Sequence, residues 1–326
     1  MPKKHVIIID GTQSRLHRGQ ETNAGLLYKL LLEHDETVWP RHIWYDPGIQ
    51  GHGFWNWVTI ASGWGINQVI CDAYAALCSK YREGDQIFLF GFSRGAYAVR
   101  SLSGLINTVG LLRHEEATQR TIDQAFRHYE LGRPAEVKAR FREMHCVPEV
   151  TIKMIGLWDT VKTLGLPYPV LSRLAPMATE FHSDIIGGAV QHGYHALALD
   201  EDRQAYRPVL WQKQEGWKGH LEQVWFRGAH GDIGGHVWEV PAARGLSNIP
   251  LVWMLERAEK CGLSLPANWR DRYPCNVDAP SLGTQRGIAK FFLLRQKREQ
   301  GAAPCEFLHH SVLEHDPYAQ YGIPVQ

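Results

Sequence analysis

Apolar residues fall along this chain in two rhythms, and their order predicts a layered α/β architecture. Val6-Ile7-Ile8-Ile9 is a continuous apolar run ending in Asp10-Gly11-Thr12. Such a run reads as a strand buried on both faces whose C-terminal end opens into a loop. Thr22-Asn23 can cap a helix from Ala24 to His34, with Leu26, Leu27, Leu30 and Leu31 on one face. His42 to Tyr45 then reads as a strand closed by Asp46-Pro47-Gly48, and Val69, Ile70, Ala73 and Leu77 suit a helix over 66–81. A further strand, Ile87 to Phe90, runs into an Ala-rich helix. Residues 111–149 are charged with helical periodicity and are broken by Leu131-Gly132-Arg133-Pro134, which predicts two helices inserted in the domain. Thr151 to Trp158, Tyr206 to Trp211 and Leu221 to Phe226 read as strands, Ser183-Asp184 as the start of a helix to Leu199, and 249–260 as a helix. Strand and helix alternate throughout, so a mainly parallel sheet flanked by helices is expected. With no repeat and no low-complexity linker, 1–326 is expected to form one α/β domain.

Chemistry enters at Gly91-Phe92-Ser93-Arg94-Gly95. Strand, sharp turn and helix come in the order of a nucleophile elbow, whose glycines remove side chains that would collide across a strained serine. The letters alone are weak, since about one chain in ten of this composition would hold them by accident. A serine hydroxyl needs a base oriented by a carboxylate, and in such sheets the partners sit just past later strands in the order serine, acid, histidine. Asp159 follows the 151–158 strand and His230 follows the 221–226 strand, where Gly228 and Gly231 flank it. Ser93, Asp159 and His230 are therefore the expected triad. Asp232 competes as the acid, and His195 or His310 as the base; His195 sits in the predicted 183–199 helix, where a packed histidine is expected. An oxyanion hole is expected from the Arg94 backbone N–H and from the loop Asp10-Gly11-Thr12, with Gly11 allowing close approach.

Composition narrows the classes. The 35 basic and 34 acidic residues nearly cancel, which argues against a nucleic-acid binder. Six cysteines lack C-x-x-C spacing and read as reduced thiols. No phosphate loop or dinucleotide fingerprint is present, and no cofactor is expected. His230, Asp232 and His236 could instead be metal ligands, which is the metal-dependent alternative; a non-catalytic binding protein on the same fold is the third. No run approaches the roughly 18 apolar residues of a membrane span, so at most peripheral membrane contact is expected. The N-terminal apolar run is too short for a signal-peptide core, so a cytoplasmic protein, or one exported without a cleaved signal, is expected. The stretch 48–65, with five glycines and Phe54, Trp55, Trp57 and Trp64, is expected to pack on the sheet.

Five ordered motifs carry a resemblance: Asp10-Gly11-Thr12; Gly91-Phe92-Ser93-Arg94-Gly95-Ala96; Leu157-Trp158-Asp159-Thr160-Val161; His195-Ala196-Leu197-Ala198-Leu199-Asp200-Glu201; and Gly228-Ala229-His230-Gly231-Asp232-Ile233-Gly234-Gly235. The chain from residue 5 to about 260 resembles a bacterial and fungal α/β-hydrolase family, catalogued as a domain of unknown function, that contains the catalytic domain of type VI secretion phospholipase effectors. A weaker echo lies at His309-His310-Ser311-Val312, and Gly231 stands where many relatives have serine. The resemblance implies a serine esterase acting on an ester or lipid substrate, with Ser93 as nucleophile, Asp159 as acid and His230 as base. An immunity or secretion partner is implied in the same way.

Overall fold

A computed structural model describes residues 2–12, 14–33, 41–48, 64–161, 184–285, 292–318 and 320–326. Within them the two-sided apolar runs become the centre of a seven-stranded sheet. Its strands are β1 (Lys4–Ile9), β2 (Arg41–Asp46), β3 (Gln86–Phe92), β4 (Ile152–Trp158), β6 (Val190–Ala198), β8 (His220–Phe226) and β9 (Glu306–Leu308). They lie in the order β2-β1-β3-β4-β6-β8-β9, and every pairing is parallel. Two short strands, β5 (Ile185–Ile186) and β7 (Gln212–Lys213), pair with each other apart from this sheet.

The uninterrupted hydrophobicity has a direct cause: both faces of the central strands are covered. Val6, Ile8, Phe88, Phe90 and Met154 form one core with α1 (Asn23–Leu32) and α7 (Arg244–Lys260). Ile7, Ile9, Ile87, Leu89, Ile155 and Leu157 form the other with α2 (Trp64–Lys80) and α3 (Arg94–Thr108). The two helices expected in 111–149 are α4 (Gln119–Glu130) and α5 (Ala135–His145); Ile122, Phe126, Tyr129 and Phe141 hold them in this second core. Thr22 caps α1 as expected, accepting from the Gly25 amide at 3.0 Å.

Chain order and strand order reverse at β1. From β1 the chain passes to β2 on one side, then returns to β3 on the other. Such a switch point leaves a crevice at the C-terminal ends of the two neighbouring strands, where α/β sheets bind their ligands. Asp10 follows β1 and Ser93 follows β3, so both border that crevice.

The structure corrects three readings. The helix expected over 183–199 is absent from its described residues, 184–199: Gly187 and Gly188, the latter at φ +55°, separate β5 from β6, and β6 lies between β4 and β8. His195 is therefore a mid-strand residue. Tyr206–Trp211 is not a strand: a 3-10 turn spans Gln204–Tyr206, Pro208 forms a single antiparallel bridge with Val161, and the next strand begins only at Gln212. The helix expected at 249–260 begins at Arg244, before Pro250, and the unassigned tail supplies β9 and α8 (His310–His315). The glycine- and aromatic-rich stretch lies, apart from its ends, outside the described residues, as does 162–183.

Candidate active site

The elbow forms because the backbone on both sides is fixed. The Ser93 amide donates to the Trp158 carbonyl at 3.0 Å, the last rung between β3 and β4. The chain then turns at once into α3, leaving Ser93 at φ 57°, ψ −121°. A non-glycine residue there is strained by about 1–3 kcal/mol. A Cβ on Gly91 would lie 2.6 Å from Ala96 Cα, and one on Gly95 would lie 2.1 Å from the Ile9 carbonyl oxygen. Gly91 thus lets the strand meet its own helix, and Gly95 lets that helix press against the end of β1.

Asp159 ends the next strand in the same manner: its amide donates to the Ala196 carbonyl at 2.8 Å, and its φ is 40°. His230 opens the short helix α6 (His230–Gly234) just past β8. These turns bring together three residues separated by 71 and 137 positions. Ser93 Oγ donates to His230 Nε2 at 2.9 Å, and His230 Nδ1 donates to Asp159 Oδ2 at 2.6 Å. Since an ionised carboxylate can only accept, Nδ1 carries the imidazole proton and Nε2 is left to accept from the serine. Ser93 and His230 are each about 7% exposed and Asp159 is fully buried.

A buried carboxylate would ordinarily protonate. Burial does push Asp159 upward, but the Arg298 charge and the bonds from His230 and Arg298 outweigh it, holding the carboxyl well below the usual range. Arg298 grips both oxygens, Nη1 to Oδ1 at 2.6 Å and Nη2 to Oδ2 at 2.9 Å, while the Ala198 amide donates to Oδ1 at 3.0 Å. Nothing in the sequence reading marked Arg298. It lies 139 residues from its partner, in irregular chain.

The histidine is framed on every side. Its amide donates to Glu201 Oε2 at 3.1 Å, and Glu201 is held by Arg203 through Nε at 2.7 Å and Nη2 at 2.6 Å. Asp200 Oδ2 accepts from the Gly228 amide at 2.7 Å, bracing the same loop. Phe92 and Tyr206 pack on the imidazole, each 4.9 Å between ring centres. The motif Asp200-Glu201 thus supports the histidine loop.

The other sequence candidates fall elsewhere. Asp232 does not reach His230 as its acid: Oδ2 accepts from the Ala229 amide and Ser281 Oγ, and Oδ1 from the Leu282 amide, so it caps α6. His195 is buried beneath the acid loop, its Nε2 accepting from the Thr160 amide at 3.1 Å; burial holds it down at about 3, hence neutral. His310 lies at the start of α8, on the Gln326 carbonyl and beside Glu314. His236 is pulled down to about 4 by burial. Among the described residues no three His, Cys, Asp or Glu side chains are grouped as around a metal ion, and both Asp232 oxygens are occupied as above.

Asp10 organises the crevice wall. Its carboxylate accepts from Thr22 Oγ1 at 2.6 Å, the Gly11 amide at 2.7 Å and Tyr45 Oη at 2.8 Å. Within the loop expected to supply an oxyanion donor, the Gly11 amide thus donates to the Asp10 carboxylate. Thr12 lines a narrow cavity with Arg94 and Gly95, and its buried Oγ1 has no hydrogen-bond partner among the described residues. Arg94, at the start of α3, is buried; burial lowers its guanidinium to about 10, leaving it a cation at neutral pH.

A family model described as "T6SS, Phospholipase effector Tle1-like, catalytic domain" matches residues 3–257. An uncharacterised protein of Saccharomyces cerevisiae, YEL023C, is 28% identical over 233 residues, covering 64% of this chain and 32% of that protein. A crystal structure of an uncharacterised protein from Pseudomonas aeruginosa aligns at TM-score 0.47 and 14% identity, covering 84% of this chain and 49% of that one. The Tle1 effector bound to the VgrG spike of the type VI secretion system aligns at TM-score 0.42 and 17% identity, covering 72% and 51%. The chain thus spans about a third of the length of the yeast relative and about half of each solved chain. Because the family match takes in most of its length, the chain belongs to the Tle1-like catalytic domain family of type VI secretion phospholipase effectors.

Proposed function

We propose that the protein is a serine esterase of the α/β-hydrolase type that cleaves carboxylic esters of lipids, with Ser93 as nucleophile, His230 as general base and acid, and Asp159 as the orienting carboxylate. The observation that carries this reading is the continuous bond from Ser93 Oγ through His230 to Asp159, built on a strained serine. Attack of Oγ on the ester carbonyl carbon transfers the serine proton to Nε2. The resulting imidazolium is stabilised by a carboxylate that Arg298 keeps ionised. Nε2 then gives the proton to the departing alcohol, leaving an acyl-Ser93. Water, deprotonated by the same nitrogen, releases the acid.

Charge developing on the carbonyl oxygen is met at the start of α3. The Arg94 amide and Thr12 are the proposed donors, and the N-terminal end of the helix adds positive potential. Lipid as substrate, and delivery by a secretion apparatus, rest for this chain on the family match. Hydrolysis of a soluble short-chain ester provides the test. Ser93→Ala should lose on the order of 10⁶ in turnover, the loss seen when an intact triad is broken. Wild-type rates in that variant would refute the assignment.

A further inference from the structure

Outside the triad, one exposed surface pairs two apolar side chains on an anchored backbone. Leu293 is 75% exposed and Leu294 53%, two adjacent leucines presented to water. The chain beneath them is tied down. Phe292 is buried and meets Tyr206 edge-on at 5.5 Å, and Tyr206 meets His230 edge-on at 4.9 Å. The Leu294 carbonyl accepts from the Gln204 amide at 3.0 Å, and Arg295 is held by Asp202 at 2.7 Å and by the Phe292 carbonyl at 2.9 Å. The exposure is thus imposed by anchored neighbours, two ring contacts from the candidate base.

Beside the leucines opens a cleft of about 230 Å³. Its charged lining is Arg203, Arg207, Lys297 and Arg298 against Glu299. Glu201 neutralises Arg203 and Asp159 neutralises Arg298. What the lining offers to solvent is therefore Arg207 and Lys297 against Glu299, one net positive charge; all three are exposed, and no ion pair among the described residues holds them.

We propose that Leu293 and Leu294, flanked by Arg207 and Lys297, dock the protein on an anionic phospholipid surface and so set Ser93 and His230 beside their lipid ester. The proposal rests on the hydrolase reading for its purpose. A bilayer is the occupant these features fit: apolar side chains that enter the acyl boundary, with cations at headgroup level, are the signature of interfacial attachment. A protein partner would need about 800 Å² of complementary surface per side, far more than two leucines offer.

Cosedimentation with phosphatidylcholine vesicles, with and without phosphatidylglycerol, tests the proposal. Ser93→Ala protein is used so that no lipid is consumed. Binding should be stronger to the anionic vesicles and fall with added salt. Adding Leu293→Asp and Leu294→Asp should lower partition about tenfold or more, and Arg207→Glu with Lys297→Glu should remove the preference for anionic lipid. In a wild-type background both double variants should cleave a soluble short-chain ester at the wild-type rate. Undiminished vesicle binding by the leucine variant would overturn the proposal. So would failure of the parent protein to bind anionic vesicles, or light scattering showing that the leucines instead hold two copies together. If docking behaves as stated and no protein hydrolyses any ester, the hydrolase reading fails and the docking surface stands.

Discussion

Arg298 shows what a single residue outside the three-residue relay contributes. Asp159 has no solvent contact, so its charge is sustained by the guanidinium on both its oxygens and by His230. Arg298→Met leaves a buried carboxylate without its main counter-charge, and breaking such a pair costs about 3–5 kcal/mol. With the lowering influence of Arg298 removed, burial raises the Asp159 pKa, the carboxylate protonates at higher pH, and the acid limb of the kcat/KM profile moves upward. Arg298→Lys, which keeps the charge, should restore part of both losses. An unchanged acid limb in Arg298→Met would show that Arg298 does no more than fill space. No local pattern could have found this residue: it is one of 35 basic side chains, and its meaning depends on a contact 139 residues away. The convergence of Ser93, Asp159 and His230 was legible because each sits at the end of an apolar run, where chain direction and sheet position are coupled.

Helix and strand boundaries explain both what the sequence reveals and what it conceals. The elbow depends on β3, α3 and β1 meeting closely at glycine. Gly95→Ala would force the α3 start and the β1 end apart, since the new Cβ would lie 2.1 Å from the Ile9 carbonyl oxygen. Such overpacking costs about 1–3 kcal/mol, and here it also displaces the Arg94 amide and the Thr12 loop from one another. Urea denaturation and ester turnover should both register it, with turnover falling further than stability alone accounts for; equal turnover would place the oxyanion donors elsewhere. The same close packing blurs the sequence signal. Strand β6 reads as a helix because residues on both its faces are buried, among them Tyr194, His195, Ala196, Leu197 and Ala198, so no alternation survives and its Ala and Leu mimic a helical stretch. Strands β1, β3 and β4 share that burial, yet their β-branched and aromatic residues identify them. Three-residue β9 carries no periodicity at all.

Across the whole molecule, burial of neutral histidines ties stability to pH. His195 and His309 are both held at about 3 by burial. Below the ordinary histidine value of about 6.5 the unfolded chain takes up protons that these two sites refuse, so stability falls as pH drops toward 3. The two together should remove about 2–3 kcal/mol of unfolding free energy per pH unit between roughly pH 6 and 4. Urea titrations over that range check the slope, and a flat profile would contradict the burial of these rings. The parallel sheet, its switch point and the crevice between β1 and β3 provide the frame, and the Ser93-His230-Asp159 relay is what the frame presents. Whether that relay performs covalent catalysis is the central claim. The most direct measurement is treatment of the wild-type protein with a fluorophosphonate, followed by peptide mass spectrometry. The account predicts one modified peptide, carrying the adduct on Ser93, no adduct in Ser93→Ala, and slower labelling when His230 is replaced by Gln. Unlabelled Ser93 in a folded protein that still hydrolyses esters would contradict it.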